Sequence, residues 1–207
     1  MGSLIYLLGL VFAEALRLPN RVRRGRTQRR WQAAGDAGET LEWLVLPAIA
    51  AGIWIFPLLF IVIGWPATLD YRLPAWSLLP ATLMLTLSLS IRWRAHRALG
   101  KRWSHTLETA PEHALVTSGI YGLVRHPIYV SLILWAIAQP VLLPNWLAGW
   151  SGFIAVAMLW LVRVPREERM MLDRFGPEYR DYMARTGRLL PRRKASSSEV
   201  GRQDGSL

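Results

Sequence analysis

Residues 44–65 form a run of apolar residues that contains no charged side chain. A helix of this length rises about 33 Å, which is enough to cross a hydrocarbon core of about 30 Å. Four further apolar runs cover residues 3–16, 75–91, 128–143 and 146–162. This pattern predicts an all-α integral membrane protein with about five transmembrane helices.

The order of these runs predicts three regions. Residues 1–92 form a three-helix membrane region with a basic cytoplasmic loop, residues 93–193 contain the last two membrane helices, and the Ser/Gly-rich residues 194–207 form a disordered tail. Only Pro144 and Asn145 separate the last two runs, so we expect a tight helical hairpin. Charged residues with a helical pattern follow it, and Gly176-Pro177 predicts a break between two short cytoplasmic helices.

Positive charge is concentrated in three segments that alternate with the apolar runs. Residues 17–42, 92–126 and 163–194 contain 23 of the 25 Lys and Arg residues, whereas Arg72 lies in the opposite loop. Because basic residues accumulate in cytoplasmic loops, we expect a multi-pass protein with its N-terminus outside and its C-terminus and polar clusters on the cytoplasmic side. His96 and His105 are predicted to lie at the membrane interface.

Composition narrows the possible partners. The formal net charge of +11 would suit nucleic acid, but the arginines flank apolar runs and do not form a solvated face. Anionic membrane lipids are therefore the expected partners, and nucleic acid is not. The chain has no cysteine, which excludes disulfides, thiolate zinc sites and cysteine nucleophiles. No metal site is predicted.

A first polar cluster surrounds the start of the fourth membrane helix. Residues 115–122 are predicted to form an extended stretch that ends in a glycine turn, and Arg125 and His126 follow shortly after it. Pro127 suits the first position of a helix, where no N–H is needed. The free N–H groups of such a helix start can bind an anion, and Tyr129 adds a hydroxyl one turn further on.

A second polar cluster stands at the inner end of the fifth membrane helix. Arg163 and Glu167 are four residues apart and share one face if the helix continues, whereas Glu168 points about 100° away. In a hairpin, this end of the fifth helix lies beside the start of the fourth. We therefore expect both clusters to meet at the cytoplasmic membrane surface, in a pocket for a charged cofactor and a lipid substrate.

Several blocks, in this order and spacing, resemble the isoprenylcysteine carboxyl methyltransferase family, which forms part of a wider group with the phospholipid methyltransferases. The resemblance covers roughly residues 99–191. The blocks are residues 99–104, residues 113–121, the Arg-His-Pro-Ile-Tyr sequence of 125–129, the Glu167-Glu168 pair, and Phe-Gly-Pro-Glu-Tyr at 175–179.

The resemblance implies a membrane-embedded methyltransferase that uses S-adenosylmethionine, with residues 93–193 as the cofactor-binding region. It implies that Arg163 and Glu167 are catalytic, with Arg163 toward the acceptor. The cofactor-binding residues that it implies are His113, Ala114, Leu115, Val116, Tyr121, His126, Pro127, Ile128, Tyr129, Glu167 and Glu168.

The chemistry of the acceptor distinguishes the possible reactions. A carboxylate acceptor is ionised at neutral pH and requires positioning, which the planar fork of Arg163 can provide. An amine acceptor requires a base, for which Glu168 or a histidine is available. Carboxyl methylation of an isoprenylcysteine-like or other lipid-like acid, free or linked to a peptide, is therefore the favoured function. The alternatives are a phospholipid amine N-methyltransferase, a sterol-type reductase that uses NADPH, and a non-catalytic protein that binds anionic lipid.

Overall fold

The computed structural model describes residues 1–16, 39–99 and 115–192. The predicted disordered tail and most of the predicted basic loop lie outside these residues. The helices are α1 (Gly2–Ala15), α2 (Glu39–Ala50), α3 (Phe56–Ile63), α4 (Leu78–Leu99), α5 (Ile120–Leu123), α6 (Pro127–Leu142) and α7 (Trp146–Arg185). A π-helical turn, Ala51–Ile55, joins α2 to α3.

Three helical segments are long and apolar enough to cross a membrane: Leu44–Ile63, Ala75–Leu99 and Trp146–Arg185. Helices α1 and α6 are also apolar but shorter. The described part of the chain is helical and contains no regular strand. These features confirm the all-α membrane class, and the count of five spans stays a prediction.

Helix α6 lies at the centre of the bundle and packs against both α4 and α7. Its fully buried Gln139 donates hydrogen bonds to the carbonyls of Gly52 (2.9 Å) and Ala148 (2.7 Å) and accepts one from the Tyr6 hydroxyl (3.2 Å). A buried amide is stable only when its polar atoms have partners. Gln139 therefore ties α1, the π-helical turn and α7 to α6.

Close contact between α6 and α7 depends on residues at their junction. The Asn145 side chain caps α7 by accepting hydrogen bonds from the backbone N–H groups of Leu147 and Ala148. A side chain at Gly149 would come within 2.7 Å of the Leu143 carbonyl oxygen. The two helices consequently run side by side in opposite directions, which brings the middle of α7 beside the start of α6.

Two local predictions are confirmed. Pro127 occupies the start of α6, and Gly176 breaks α7 with φ 48° and ψ −118°. Helix α4 continues beyond the third predicted span, which covers residues 75–91, as far as Leu99. His96 is 7% exposed, on the same face as Arg92, which is 4% exposed, so both side chains are buried in the protein. The place of His96 at the membrane interface stays a prediction.

Helix α4 extends beyond the apolar run because α6 provides contacts for the buried face of the polar end of α4. Arg92 directs its guanidinium over the ring of Trp135 (5.8 Å), and its Nε lies 3.4 Å from the hydroxyl of Ser131. Arg and Ala are also good helix formers, so nothing in residues 92–99 ends the helix.

Candidate active site

A folded-back segment holds the start of α6 in place. After α7 ends, residues 186–192 return along residues 124–126, and the Arg125 and His126 N–H groups donate to the Gly187 (2.8 Å) and Arg188 (3.1 Å) carbonyls. We call residues 186–192 the C-terminal strap. It pairs with the backbone just before Pro127, where His126 has φ −122° and ψ 59° and is outside helical geometry, as the residue preceding a proline favours.

Glu168 is the centre of the ionic cluster. Its carboxylate, 6% exposed, lies 3.0 Å from Nη2 of Arg125 and 3.3 Å from Nε2 of His126. The guanidinium of Arg188, in the strap, contacts its other oxygen. Arg125 also donates to the carbonyls of Met183 and Thr186. Glu168 therefore joins α6, α7 and the strap at one point.

The electrostatics of Glu168 follow from these partners, which lie beyond the apolar part of α7. Burial alone would raise the pKa of this carboxyl group, but hydrogen bonds from His126, Arg188 and Arg125 outweigh burial and lower the pKa to about 2. Glu168 is consequently a carboxylate at neutral pH that already accepts hydrogen bonds from three side chains. A group in this state is a poor general base.

Glu167 has a more open environment than its neighbour. Its Oε1 accepts a hydrogen bond from the Tyr129 hydroxyl (2.8 Å) and lies 3.5 Å from Nη2 of Arg163, while its Oε2 is 3.8 Å from Nδ1 of His126. The side chain is 23% exposed, against 6% for Glu168. Of the two carboxylates, Glu167 is the one with access to a ligand.

Aromatic rings enclose the cluster toward the membrane. The Trp160 ring contacts those of His126 (6.0 Å between centroids) and Tyr129 (5.7 Å), and the last two contact each other at 5.6 Å. All three pairs meet edge to face, a favourable geometry for aromatic rings. Trp160 therefore forms the boundary between the ionic cluster and the apolar part of the bundle.

The structure brings five of the predicted site residues together. His126, Tyr129, Arg163, Glu167 and Glu168 form one connected cluster at the start of α6. The remaining described positions are Pro127 and Ile128 in the first turn of α6, Tyr121 in α5, and Leu115 and Val116 in the segment before α5. His113 and Ala114 lie outside the described residues.

Tyr121 lies close to the cluster, but among the described residues its side chain makes no direct hydrogen bond to the cluster. Its carbonyl accepts a hydrogen bond from the hydroxyl of Tyr182 (2.6 Å). Burial raises the pKa of Tyr121, and the nearby Tyr182 and Glu167 raise it further.

The structure places three further residues in or against the cluster. Arg125, which belongs to the first polar cluster predicted from the sequence, pairs with Glu168. Arg188 and Trp160 are not predicted from the sequence as site residues. Nothing in the local sequence marks either residue, because both reach the cluster through tertiary contacts.

Comparison with known proteins is consistent with this architecture. Residues 81–173 match the family model described as the isoprenylcysteine carboxyl methyltransferase (ICMT) family. Human protein-S-isoprenylcysteine O-methyltransferase is 32% identical over 131 residues, which is 62% of this chain and 45% of the human protein. The Tribolium castaneum protein of the same name is 34% identical over 49% of this chain and 37% of its own length. The chain thus spans about half the length of the curated relatives it matches, or less.

The fold also resembles a solved structure. The eukaryotic intramembrane Ras methyltransferase ICMT superposes with a TM-score of 0.56 and 23% identity, over 89% of this chain and 62% of that one. At this identity the likeness concerns the fold alone.

Proposed function

We propose that this chain, of which residues 81–173 match the isoprenylcysteine carboxyl methyltransferase family model, is a member of that family and a membrane-embedded methyltransferase that uses S-adenosylmethionine. Its acceptor is the carboxylate of an isoprenylcysteine-like or other lipid-like acid. The observation that carries this proposal is the accessible Glu167–Arg163 pair beside the start of α6, which offers an anion and a cation at one place. The relatives named above are methyltransferases, which favours this function over a reductase or a lipid-binding protein.

The residues present fit the charges of S-adenosylmethionine. Glu167 is accessible enough to bind the cofactor's ammonium group, and Tyr129 orients that carboxylate through a 2.8 Å hydrogen bond. The start of α6 is the positive end of its helix dipole, which favours binding of the cofactor's carboxylate there. His126 is less suited to that carboxylate, because both of its ring nitrogens face glutamates. When bound, the cofactor supplies a methyl group on a positively charged sulfur.

The state of Glu168 favours a carboxylate over an amine as the acceptor. An amine must lose a proton in the reaction, yet Glu168 is held ionised by three basic side chains and is poorly suited to accept one. A carboxylate needs only to be held in line and have its charge balanced. Arg163, 16% exposed and next to Glu167, is positioned to do so through a two-pronged contact.

The proposed orientation places this cluster on the cytoplasmic side. The exposed tryptophans at the opposite end of the bundle, Trp65, Trp76, Trp146 and Trp150, fit the aromatic belt of an outer membrane interface. The exposed arginines of α7 and the strap, such as Arg169, Arg180 and Arg192, would contact anionic headgroups of the inner leaflet.

The cofactor site can be tested by binding measurements on detergent-purified protein. Tyr129→Phe and Glu167→Gln each remove a charge-assisted interaction, so each should weaken S-adenosylmethionine binding by roughly ten- to a hundred-fold. Glu178→Gln, an exposed position on the same helix, is the matched control and should leave binding unchanged. Tight binding of NADPH without binding of the methyl donor would contradict the proposed function.

A further inference from the structure

Arg188 contacts both carboxylate oxygens of Glu168 from the C-terminal strap. Its Nε donates to Oε1 (3.1 Å), and its Nη2 donates to Oε2. The contacts of Arg125 and His126 fall on Oε1, so among the described residues Arg188 is the only partner of Oε2. A guanidinium that holds both oxygens fixes the plane of a carboxylate, which a partner on one oxygen does not. Arg188 therefore sets the orientation of the Glu168 carboxylate.

The strap itself is held by contacts that do not involve the Arg188 side chain. The backbone N–H groups of Arg125 and His126 donate to the carbonyls of Gly187 and Arg188, which any residue in the strap would offer. Leu189 packs against the hydrophobic core. The Arg188 side chain is 55% exposed, and an ion pair at such a position contributes little to stability. Its loss should therefore leave the fold and the strap in place.

His126 connects the carboxylate that Arg188 orients to the second glutamate of the cluster. Its Nε2 lies 3.3 Å from Oε1 of Glu168, and its Nδ1 lies 3.8 Å from Oε2 of Glu167. The rings of Tyr129 and Trp160 meet the imidazole edge to face, which restricts how the ring can tilt. A continuous path of polar contacts thus leads from the strap to Glu167.

We infer that Arg188 is a positioning residue for the methyl donor, and that it raises the affinity of Glu167 for the donor's ammonium group. It acts through Glu168 and His126 and does not touch the ligand. The inference rests on the proposed function, in which Glu167 binds S-adenosylmethionine. The path from Arg188 arrives at Oε2 of Glu167, whereas Arg163 lies near Oε1 (3.5 Å). Binding of the methyl donor should consequently depend on Arg188 more than binding of the acceptor does.

Three variants of detergent-purified protein test the role of the Arg188 side chain. Arg188→Gln removes the charge and the fork, and Arg188→Lys keeps the charge but cannot make the two-pronged contact. Arg185→Gln removes the same charge from an exposed position in the last turn of α7 and is the matched control. Arg188→Gln should raise the Kd for S-adenosylmethionine by about five-fold, equivalent to about 1 kcal/mol. Arg188→Lys should raise it by about three-fold, and the control should change it by less than about 1.5-fold.

Kinetics and stability distinguish positioning from a structural role. In Arg188→Gln, the KM for S-adenosylmethionine should rise with the Kd, while kcat, the KM for an isoprenylcysteine-like acid and the denaturant midpoint stay close to the wild-type values. Wild-type affinity in Arg188→Lys would show that only the charge matters, and this would overturn the inference. An equal rise in Kd with Arg185→Gln would overturn it too.

A double-mutant cycle shows whether Arg188 acts through Glu167. Glu167→Gln removes the charge that binds the ammonium group, so adding Arg188→Gln to it should change the Kd by less than about 1.5-fold. If the two substitutions instead weaken binding additively, Arg188 acts on the ligand by another route, and the proposed path does not exist.

Histidine NMR separates this inference from the proposed function, because it needs no ligand. The chain has four histidines, and the imidazole signal that disappears in His126→Gln belongs to His126. In protein without ligand, Arg188→Gln should shift or broaden that signal, and Arg185→Gln should leave it unchanged. An unchanged His126 signal in Arg188→Gln would overturn the inference even if methyl transfer is observed. Failure of the wild type to bind S-adenosylmethionine would instead contradict the proposed function.

Discussion

Replacement of Glu168 by Gln should destabilise the protein, because this carboxylate is the junction of three structural elements. Its side chain is 6% exposed. It contacts Arg125 just before α6, His126 at the start of α6, and Arg188 in the strap. Glutamine has almost the same shape, so the substitution removes the charge with little change in packing. Two guanidinium groups then lose the anion that balances them, and Arg125 remains almost completely buried.

The expected cost follows from that burial. Removing one partner of a buried ion pair typically costs about 3–5 kcal/mol, because the remaining charge stays desolvated without compensation. Arg188 is 55% exposed and can be solvated by water, so its contribution is small. Arg125 is 8% exposed and provides most of the effect. We expect a loss of about 3 kcal/mol, a large part of the 5–15 kcal/mol that usually separates folded and unfolded states.

Unfolding in detergent, followed by circular dichroism during a denaturant titration, measures this loss. Glu178→Gln provides the matched control on the exposed surface of α7 and should change stability by less than about 0.5 kcal/mol. A Glu168→Gln protein that unfolds like the wild type but transfers no methyl group would refute the reasoning. Glu168 would then be a proton acceptor and not a structural anion.

Three further predictions concern the effect of acid on stability, the role of Arg163 toward the acceptor, and the membrane topology. Folding lowers the pKa of Glu168 to about 2. Its stabilising effect is therefore complete above about pH 4.3 and is lost as the pH falls toward 2. In Glu168→Gln, the free energy of unfolding should consequently depend less on pH in this acidic range. Arg163→Lys should leave S-adenosylmethionine affinity within a few fold and lower methyl transfer at least about ten-fold, because an ammonium cannot reproduce the two-pronged contact; a fully active variant would make Arg163 a membrane-interface anchor. A cysteine at Arg180 should be protected from an impermeant thiol reagent in intact cells, and a cysteine at Arg72 should react; the opposite pattern would invert the proposed orientation.

Sequence reasoning could predict the parts of this fold that depend on local chemistry. Uncharged runs predicted membrane helices, a proline predicted the start of α6, and Gly176 predicted the break in α7. The meeting of Arg163 and Glu167 with Tyr129 followed from helical spacing combined with a short connection between two helices. Each of these inferences depends on residues that are close in the chain or on one reversal of direction.

The parts that could not be predicted depend on long-range packing. Arg92 and His96 follow an apolar run and carry the signals of a cytoplasmic loop, yet both are buried, and α6 contacts Arg92 through Trp135 and Ser131. Arg188 is one of many arginines near the C-terminus, and only the return of the strap distinguishes it from the others. Charge alone marks such residues as exposed, because their burial depends on a partner from a distant element.

The two adjacent glutamates illustrate how one helix can supply two different environments. The turn of about 100° between consecutive residues directs Glu168 toward the strap and leaves Glu167 at the accessible side of the cluster. Glu168 mainly balances the charges of Arg125 and Arg188, and Arg163 lies next to Glu167. Three arginines therefore face two carboxylates, so the cluster keeps a net positive charge. In the proposed reaction this charge attracts an acidic acceptor. Methylation converts that acid into a neutral ester, which no longer makes the charge-assisted contact with Arg163. The same residue that orients the substrate therefore holds the product less tightly, which favours product release.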